Sequence, residues 1–70
     1  MIEHEIIEQI AVISERTGGW KLELNRVKWN NGLEKLDLRP WNEDHSKCSR
    51  GLTLTDEEAA TLCGVLEGIL

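Results

Sequence analysis

The stretch Arg50-Gly51-Leu52-Thr53-Leu54-Thr55-Asp56-Glu57-Glu58 (RGLTLTDEE, residues 50–58) decides the fold, because the pattern changes inside it. Leu52 and Leu54 flank Thr53, as on a strand with one apolar face. Thr55 to Glu58 then read as a capping box. The Thr55 hydroxyl accepts from the Glu58 amide, and the Glu58 carboxylate reaches back to the Thr55 amide. Three acids in that first turn suit the positive end of a helix dipole. Beyond them Ala59, Leu62, Cys63, Leu66 and Ile69 follow helical spacing, and Val65 widens the stripe. A short strand over 50–54 therefore runs into a C-terminal helix. Gly64 and Gly68 weaken that helix on propensity grounds, so something must pack closely on it, either the sheet or a partner helix.

Working towards the N-terminus, residues 42–49 (NEDHSKCS) are a polar loop, and 33–41 (LEKLDLRPW) alternate as a strand. Leu36 and Leu38 face one way; Lys35, Asp37, Arg39 and Trp41 face the other. Pro40 cannot donate to a ladder, so this strand is expected to end there or to lie at an edge. Asn30-Asn31-Gly32 signals a hairpin. With Asn31-Gly32 as a two-residue type I′ turn, Asn30 pairs with Leu33, Lys28 with Lys35 and Arg26 with Asp37. Two lysines face to face repel; a bound phosphate would relieve them, or they splay into solvent. Residues 20–29 (WKLELNRVKW) form the preceding strand, with Leu22 and Leu24 on one parity and Val27 and Trp29 on the other. A β-bulge near Asn25-Arg26, or a sheet partly covered on both faces, reconciles the two. Thr17-Gly18-Gly19 is a turn. Residues 5–14 (EIIEQIAVIS) are rich in β-branched residues and read as a first strand, with a helix over 3–14 as the alternative. The result is one α+β domain over residues 1–70: a four-stranded antiparallel sheet and one C-terminal helix, ββββα.

Seventy residues make a marginal core. The usual remedies are disulfides, a metal or oligomerisation. Cys48 in a polar loop and Cys63 on an apolar helix read as free thiols, so a homodimer is expected. Glu3, Glu5 and Glu8 stand where a signal peptide carries basic residues, and no apolar run reaches membrane length; a cytoplasmic protein without a membrane partner follows. The formal net charge is -5, yet it is segregated. All eight basic residues lie between positions 16 and 50, with five acids, giving +3; residues 1–15 and 51–70 each carry four acids and no base. A basic middle between acidic ends suits an anion-binding surface. His45 and Cys48, three apart, with His4 and Cys63 elsewhere, do not make a convincing four-ligand zinc set. The chain has no Gly-rich phosphate loop, nucleophile elbow or supported Cys–His pair. Neither an enzyme, nor a cofactor, nor a small-molecule substrate is expected.

The aromatic inventory is three Trp with no Phe or Tyr. Trp29 follows Lys28, Trp20 precedes Lys21, and Trp41 shares a strand face with Arg39 and Lys35. Bases stacked on strand-borne aromatics are worth roughly 1–3 kcal/mol each, and neighbouring cations hold the backbone. The plainer reading is that each Trp is core bulk, Trp20 most readily because it follows a turn.

Leu36-Asp37-Leu38-Arg39, then Trp41, a polar loop, Lys47, RGLTLT (50–55), two acids and an apolar helix together resemble the C-terminal domain of the positive cofactor four transcriptional coactivators. The resemblance is closer to the small bacterial single-domain members, in which Glu23-Leu24-Asn25-Arg26-Val27 and Trp29-Asn30 also match. The matching segments span about two-thirds of the chain, and their order and spacing carry the likeness. It implies a curved sheet, a homodimer, and binding of single-stranded or melted DNA with little sequence preference, in a cytoplasmic, nucleoid-associated setting. RNA is not distinguished, since stacking serves either sugar. By this resemblance Trp29 and Trp41 are the stacking aromatics and Arg39 the basic residue two places after the Asp. Lys28, Lys35, Lys47 and Arg50 fall among the backbone-contacting cations, and Arg26, Lys21 and Trp20 complete the candidate surface. The long basic, serine-rich tail of the eukaryotic members is absent, so coactivator activity does not carry over. The alternative function is a protein-interaction module that uses the acidic helix or an open sheet edge.

Overall fold

The computed structural model describes residues 3–30 and 32–70. Four strands, β1 (His4–Glu15), β2 (Lys21–Trp29), β3 (Glu34–Trp41) and β4 (Leu52–Leu54), precede a helix, α1 (Asp56–Ile69). All neighbouring strands are antiparallel and the sheet order is β1-β2-β3-β4, an open meander. This is the ββββα architecture expected from the sequence.

β1 is a strand throughout, not a helix. It keeps register with β2 only by inserting an irregularity every third residue, between Ile6 and Glu8, Gln9 and Ala11, and Val12 and Ser14. Such bulges bend a strand and deepen its twist. β2 has no shift against β3; the bulge expected near Asn25-Arg26 is absent, and the parity slip reflects a sheet with apolar side chains on both faces. Gly18 (φ 72) and Gly19 (φ 80) supply the left-handed backbone that returns β1 into β2.

The hairpin register differs from the expectation by one residue. Lys28 opposes Glu34, Val27 opposes Lys35 and Arg26 opposes Leu36. The Lys28–Lys35 repulsion and the Arg26–Asp37 pair are therefore not formed. Asn30 sits at φ 48 and the Gly32 amide donates to the Trp29 carbonyl at 2.7 Å; Asn31 lies outside the described residues. The hydrophobic pattern overrides the turn preference, because the observed register sets Leu24 against Leu38, whereas the expected one sets Leu24 against Arg39. A one-residue slip would mix apolar and polar side chains on both faces.

Pro40 also departs from expectation: β3 runs through it to Trp41, in the interior of the sheet. The Ser49 amide donates to the Pro40 carbonyl at 3.0 Å. A residue's N–H and C=O point to the same neighbour in an antiparallel strand, so the missing Pro40 donor faces the segment before β4 and β2 loses nothing. Gly51 makes that close approach possible. A Cβ there would strike the Leu38 carbonyl and the Cα and Cβ of Arg39.

One face of the sheet carries Leu22, Leu24, Leu36, Leu38, Leu52 and Leu54. The other carries Lys21, Glu23, Asn25, Val27 and Trp29 from β2, with Lys35, Asp37, Arg39 and Trp41 from β3. The fully buried apolar side chains, Val27 and Trp41, lie on this second, mostly polar face, beside buried Glu23, Asn25 and Asp37. α1 begins with the expected capping box, Thr55 Oγ1 accepting from the Glu58 amide at 3.1 Å and Glu58 Oε1 from the Thr55 amide at 2.9 Å. None of its residues is buried.

Candidate nucleic-acid interface

The polar face is organised around a column of flat side chains. Trp29 and Trp41 lie almost parallel, 13° apart with centroids at 6.4 Å. The His4 ring is wedged against both, at 5.5 and 5.0 Å, and His45 leans on Trp41 at 5.7 Å. Two segments far apart in sequence deliver these histidines. His4 comes from the start of β1, opposite Trp29. His45 comes from the 42–49 loop, which folds around Asn42: the Asn42 amide donates to the Lys47 carbonyl, and the His45 and Lys47 amides donate back to Asn42 oxygens. His45 itself adopts φ 59, a conformation that turns its ring back over the sheet.

On the groove side of the column, Arg39 places its guanidinium carbon 4.5 Å from the Trp29 ring centroid. Its Nε donates to both oxygens of Asp37, at 2.7 and 2.9 Å. Asp37 is fully buried, so the pair is a fixed feature of the face and not a loose surface contact. Burial disfavours the Arg39 charge; the hydrogen bond and charge of Asp37, with a smaller share from Cys48, outweigh it and leave Arg39 more basic than an ordinary arginine. A parallel arrangement occupies the next rung. Glu23 is buried, takes His45 Nε2 at 2.9 Å and 3.0 Å, and accepts from Asn25 Nδ2 at 3.1 Å. Among the described residues, Asn25 Oδ1 and the indole N–H groups of Trp29 and Trp41 are buried without a hydrogen-bond partner.

A groove of about 370 Å³ opens beside this column, lined by Trp29, Lys35, Arg39, Thr53, Leu33, Asn30 and Gly32. It unites three of the residues expected to bind nucleic acid: Trp29, Lys35 and Arg39. Trp41 is not available for stacking, since it is 0% exposed; it supports Trp29 from behind. Lys21 lies on the same face, opposite Trp41, and borders a second hollow with Glu23, Asn25 and His45. Trp20 is half-buried at the first turn and borders a third hollow together with Lys47, Glu43 and Asp44. Arg50 is exposed just before β4. Arg26 and Lys28 project from the leucine face, where Arg26 Nη1 meets Asp56 Oδ1 at 3.3 Å and Lys28 stands opposite Glu34. These two do not join the groove.

Reading the sequence missed His4, Glu23, Asn25, Thr53 and Leu33 as parts of this face. Their shared parity with Trp29 and Arg39 becomes visible only once the strand register is known. Leu33, at 82% exposed, stands at the rim of the groove as a bare apolar side chain.

Fold and site define a class of protein: a single open antiparallel sheet, closed by one helix, that presents a mixed cationic and aromatic groove. No family model matches the chain. It is 36% identical over 66 residues to an uncharacterized protein of Treponema pallidum (strain Nichols), an alignment that covers 94% of this chain and 78% of that protein, and it belongs to that protein's family. Among the described residues, no helix is long and apolar enough to cross a membrane.

Proposed function

We propose that the protein is a non-enzymatic binder of single-stranded nucleic acid, similar to the bacterial single-domain proteins of the positive cofactor four type, and that it works as a homodimer in the cytoplasm, associated with the nucleoid. The observation that carries this reading is the groove in which Trp29, Lys35 and Arg39 converge. A flat aromatic and cationic surface beside an exposed lysine is what a stacked base and its phosphate require. Lys21, Lys47 and Arg50 extend the positive character away from the groove. Among the described residues none of the three is held in an ion pair.

The dimer is supported by surface arithmetic. A compact monomer of 8.0 kDa exposes roughly 4,450 Å² by the usual scaling. This chain exposes 5279 Å², an excess of about 800 Å², which is close to what each partner contributes to a standard interface. Apolar side chains contribute to that surface on β1, where Ile7, Ile10, Val12 and Ile13 are exposed, as well as on the sheet and α1. Leu52 on the sheet and Leu62, Val65, Leu66 and Ile69 on α1 are all exposed. A second copy, which presents the same leucine face and helix stripe, is self-complementary to it. The same surface is the one observation that favours a protein-interaction module with a foreign partner.

Fluorescence anisotropy of a labelled dT strand of about twenty bases tests the binding. Single strand should bind more tightly than duplex, and affinity should fall steeply between about 50 and about 200 mM salt. Absence of binding at low salt, or equal binding of duplex, overturns the reading. Light scattering on the same sample should give twice the monomer mass; a monomer throughout would shift the apolar surface to a foreign partner.

A further inference from the structure

Neither indole offers an open ring face for a base: Trp41 is buried and Trp29 is only half-exposed at the groove. Trp41 is sealed. Trp29 has Trp41, His4 and the Arg39 guanidinium packed against it. A base cannot take the position over the Trp29 ring that the guanidinium holds at 4.5 Å. Arg39 in turn is not free to swing aside, because Nε is fixed by both oxygens of a carboxylate that has no other exposure. The Arg39 side chain keeps 16% of its surface exposed and lines the groove beside Trp29.

We infer that the base platform of this groove is the guanidinium plane of Arg39, with Asp37 as its positioning residue and the Trp29–Trp41 pair as the layer beneath. The ligand class is an unpaired nucleobase, and the inference rests on the single-strand reading given above. A guanidinium is planar and weakly hydrated, and it stacks on rings and bases alike. Held at Nε by Asp37, it stays over Trp29 and turns its remaining surface to the groove. The stack then runs Trp41, Trp29, Arg39, base. Leu33 and Thr53 stand at the groove wall, where they meet the base edge, and Lys35 is placed for the phosphate.

This arrangement separates from simple phosphate neutralisation by the sign of one effect. If Arg39 were only a positive charge, Arg39→Lys would retain most of the affinity, and Asp37→Asn would tighten binding by removing a negative charge from the face. With Arg39 as platform, Arg39→Lys loses affinity as Arg39→Ala does, by roughly ten- to a hundredfold, because lysine has no plane. Asp37→Asn weakens binding, because the guanidinium loses its anchor.

The experiment is anisotropy on the full chain with two probes: a dT strand of about twenty bases and an abasic strand of equal length, which carries the phosphates without the bases. Wild type should prefer dT, and Arg39→Lys should bind both probes nearly equally, with an unchanged salt slope. Circular dichroism and light scattering confirm that each variant is folded and has the wild-type mass. Should Asp37→Asn fail to fold, Arg39→Lys decides alone. Wild-type affinity for dT in Arg39→Lys, or tighter binding by folded Asp37→Asn, overturns the platform and leaves single-strand binding standing. Failure of wild type to bind dT overturns both.

Discussion

On one side of the sheet, three ionisable or amide side chains, Glu23, Asn25 and Asp37, are buried among Val27 and two tryptophans; on the other, six leucines lie half-covered. A monomer built for stability alone would reverse this, since buried polar groups need partners and apolar groups need cover. The comparison teaches what each face is for. The polar face is closed by its own contacts, Arg39 to Asp37 and His45 to Glu23, and gains rigidity by it. A site that must present one flat surface in one orientation benefits from such a fixed network. The leucine face has no internal partner of comparable size, because α1 brings its own apolar stripe and leaves it exposed. In the proposed dimer a second copy covers it.

The largest expected effect breaks the closed face. Trp41→Ala removes a fully buried ring that touches Trp29, His4 and His45, and should cost about 3–5 kcal/mol, measured by urea unfolding. A loss below about 1 kcal/mol would mean that the column is not packed as described. Leu66→Glu is the counterpart on the open face. In an isolated monomer this half-exposed helix position tolerates a carboxylate; in an interface, a buried unpaired charge costs about 3 kcal/mol or more. Light scattering should show the mass falling from dimer to monomer. An unchanged dimer would place the interface elsewhere.

Gly51→Ala strikes the close approach of the segment before β4 to β3 at Leu38 and Arg39. The new Cβ meets backbone, the Leu38 carbonyl and Arg39 Cα, which cannot rotate away. A loss of about 1–3 kcal/mol is expected, with thermal unfolding as the check, and the groove should weaken alongside because Arg39 is the residue displaced. Stability and dT affinity that both match wild type would show that β4 has room to shift.

Much of this was legible in the sequence. The capping box, the alternation of β3 and the Thr17-Gly18-Gly19 turn all stand where the residue pattern puts them, because each is a local decision. What could not be read was register and depth. A turn preference at Asn31-Gly32 competes with the pairing of Leu24 and Leu38, and only the packed sheet decides between them. The pattern placed Trp41 and Arg39 on one face correctly, yet gave no sign that Trp41 is sealed by His4 and His45, which arrive from opposite ends of the sheet. Arg26 and Lys28 counted towards a basic surface in sequence; alternation on β2 sends them to the other side.

The smallest effect sharpens the comparison at the helix that belongs to the open face. Glu58 accepts the Thr55 amide and, with the Thr55 hydroxyl, is held below the usual glutamate range. A carboxylate with a lowered folded value contributes stability that is fully present above its unfolded value and is lost as pH falls through the folded one. The cap should therefore weaken only on acidification below the ordinary carboxylate range. Thr55→Ala should cost about 1 kcal/mol at neutral pH. Glu58→Gln keeps an acceptor for the Thr55 amide and removes the titration. Urea unfolding at fixed protein concentration, from about pH 5 to about pH 2, should show wild type losing its advantage over Glu58→Gln towards the acid end. Parallel curves would mean that the Glu58 charge adds nothing to the cap beyond the acceptor that glutamine also supplies.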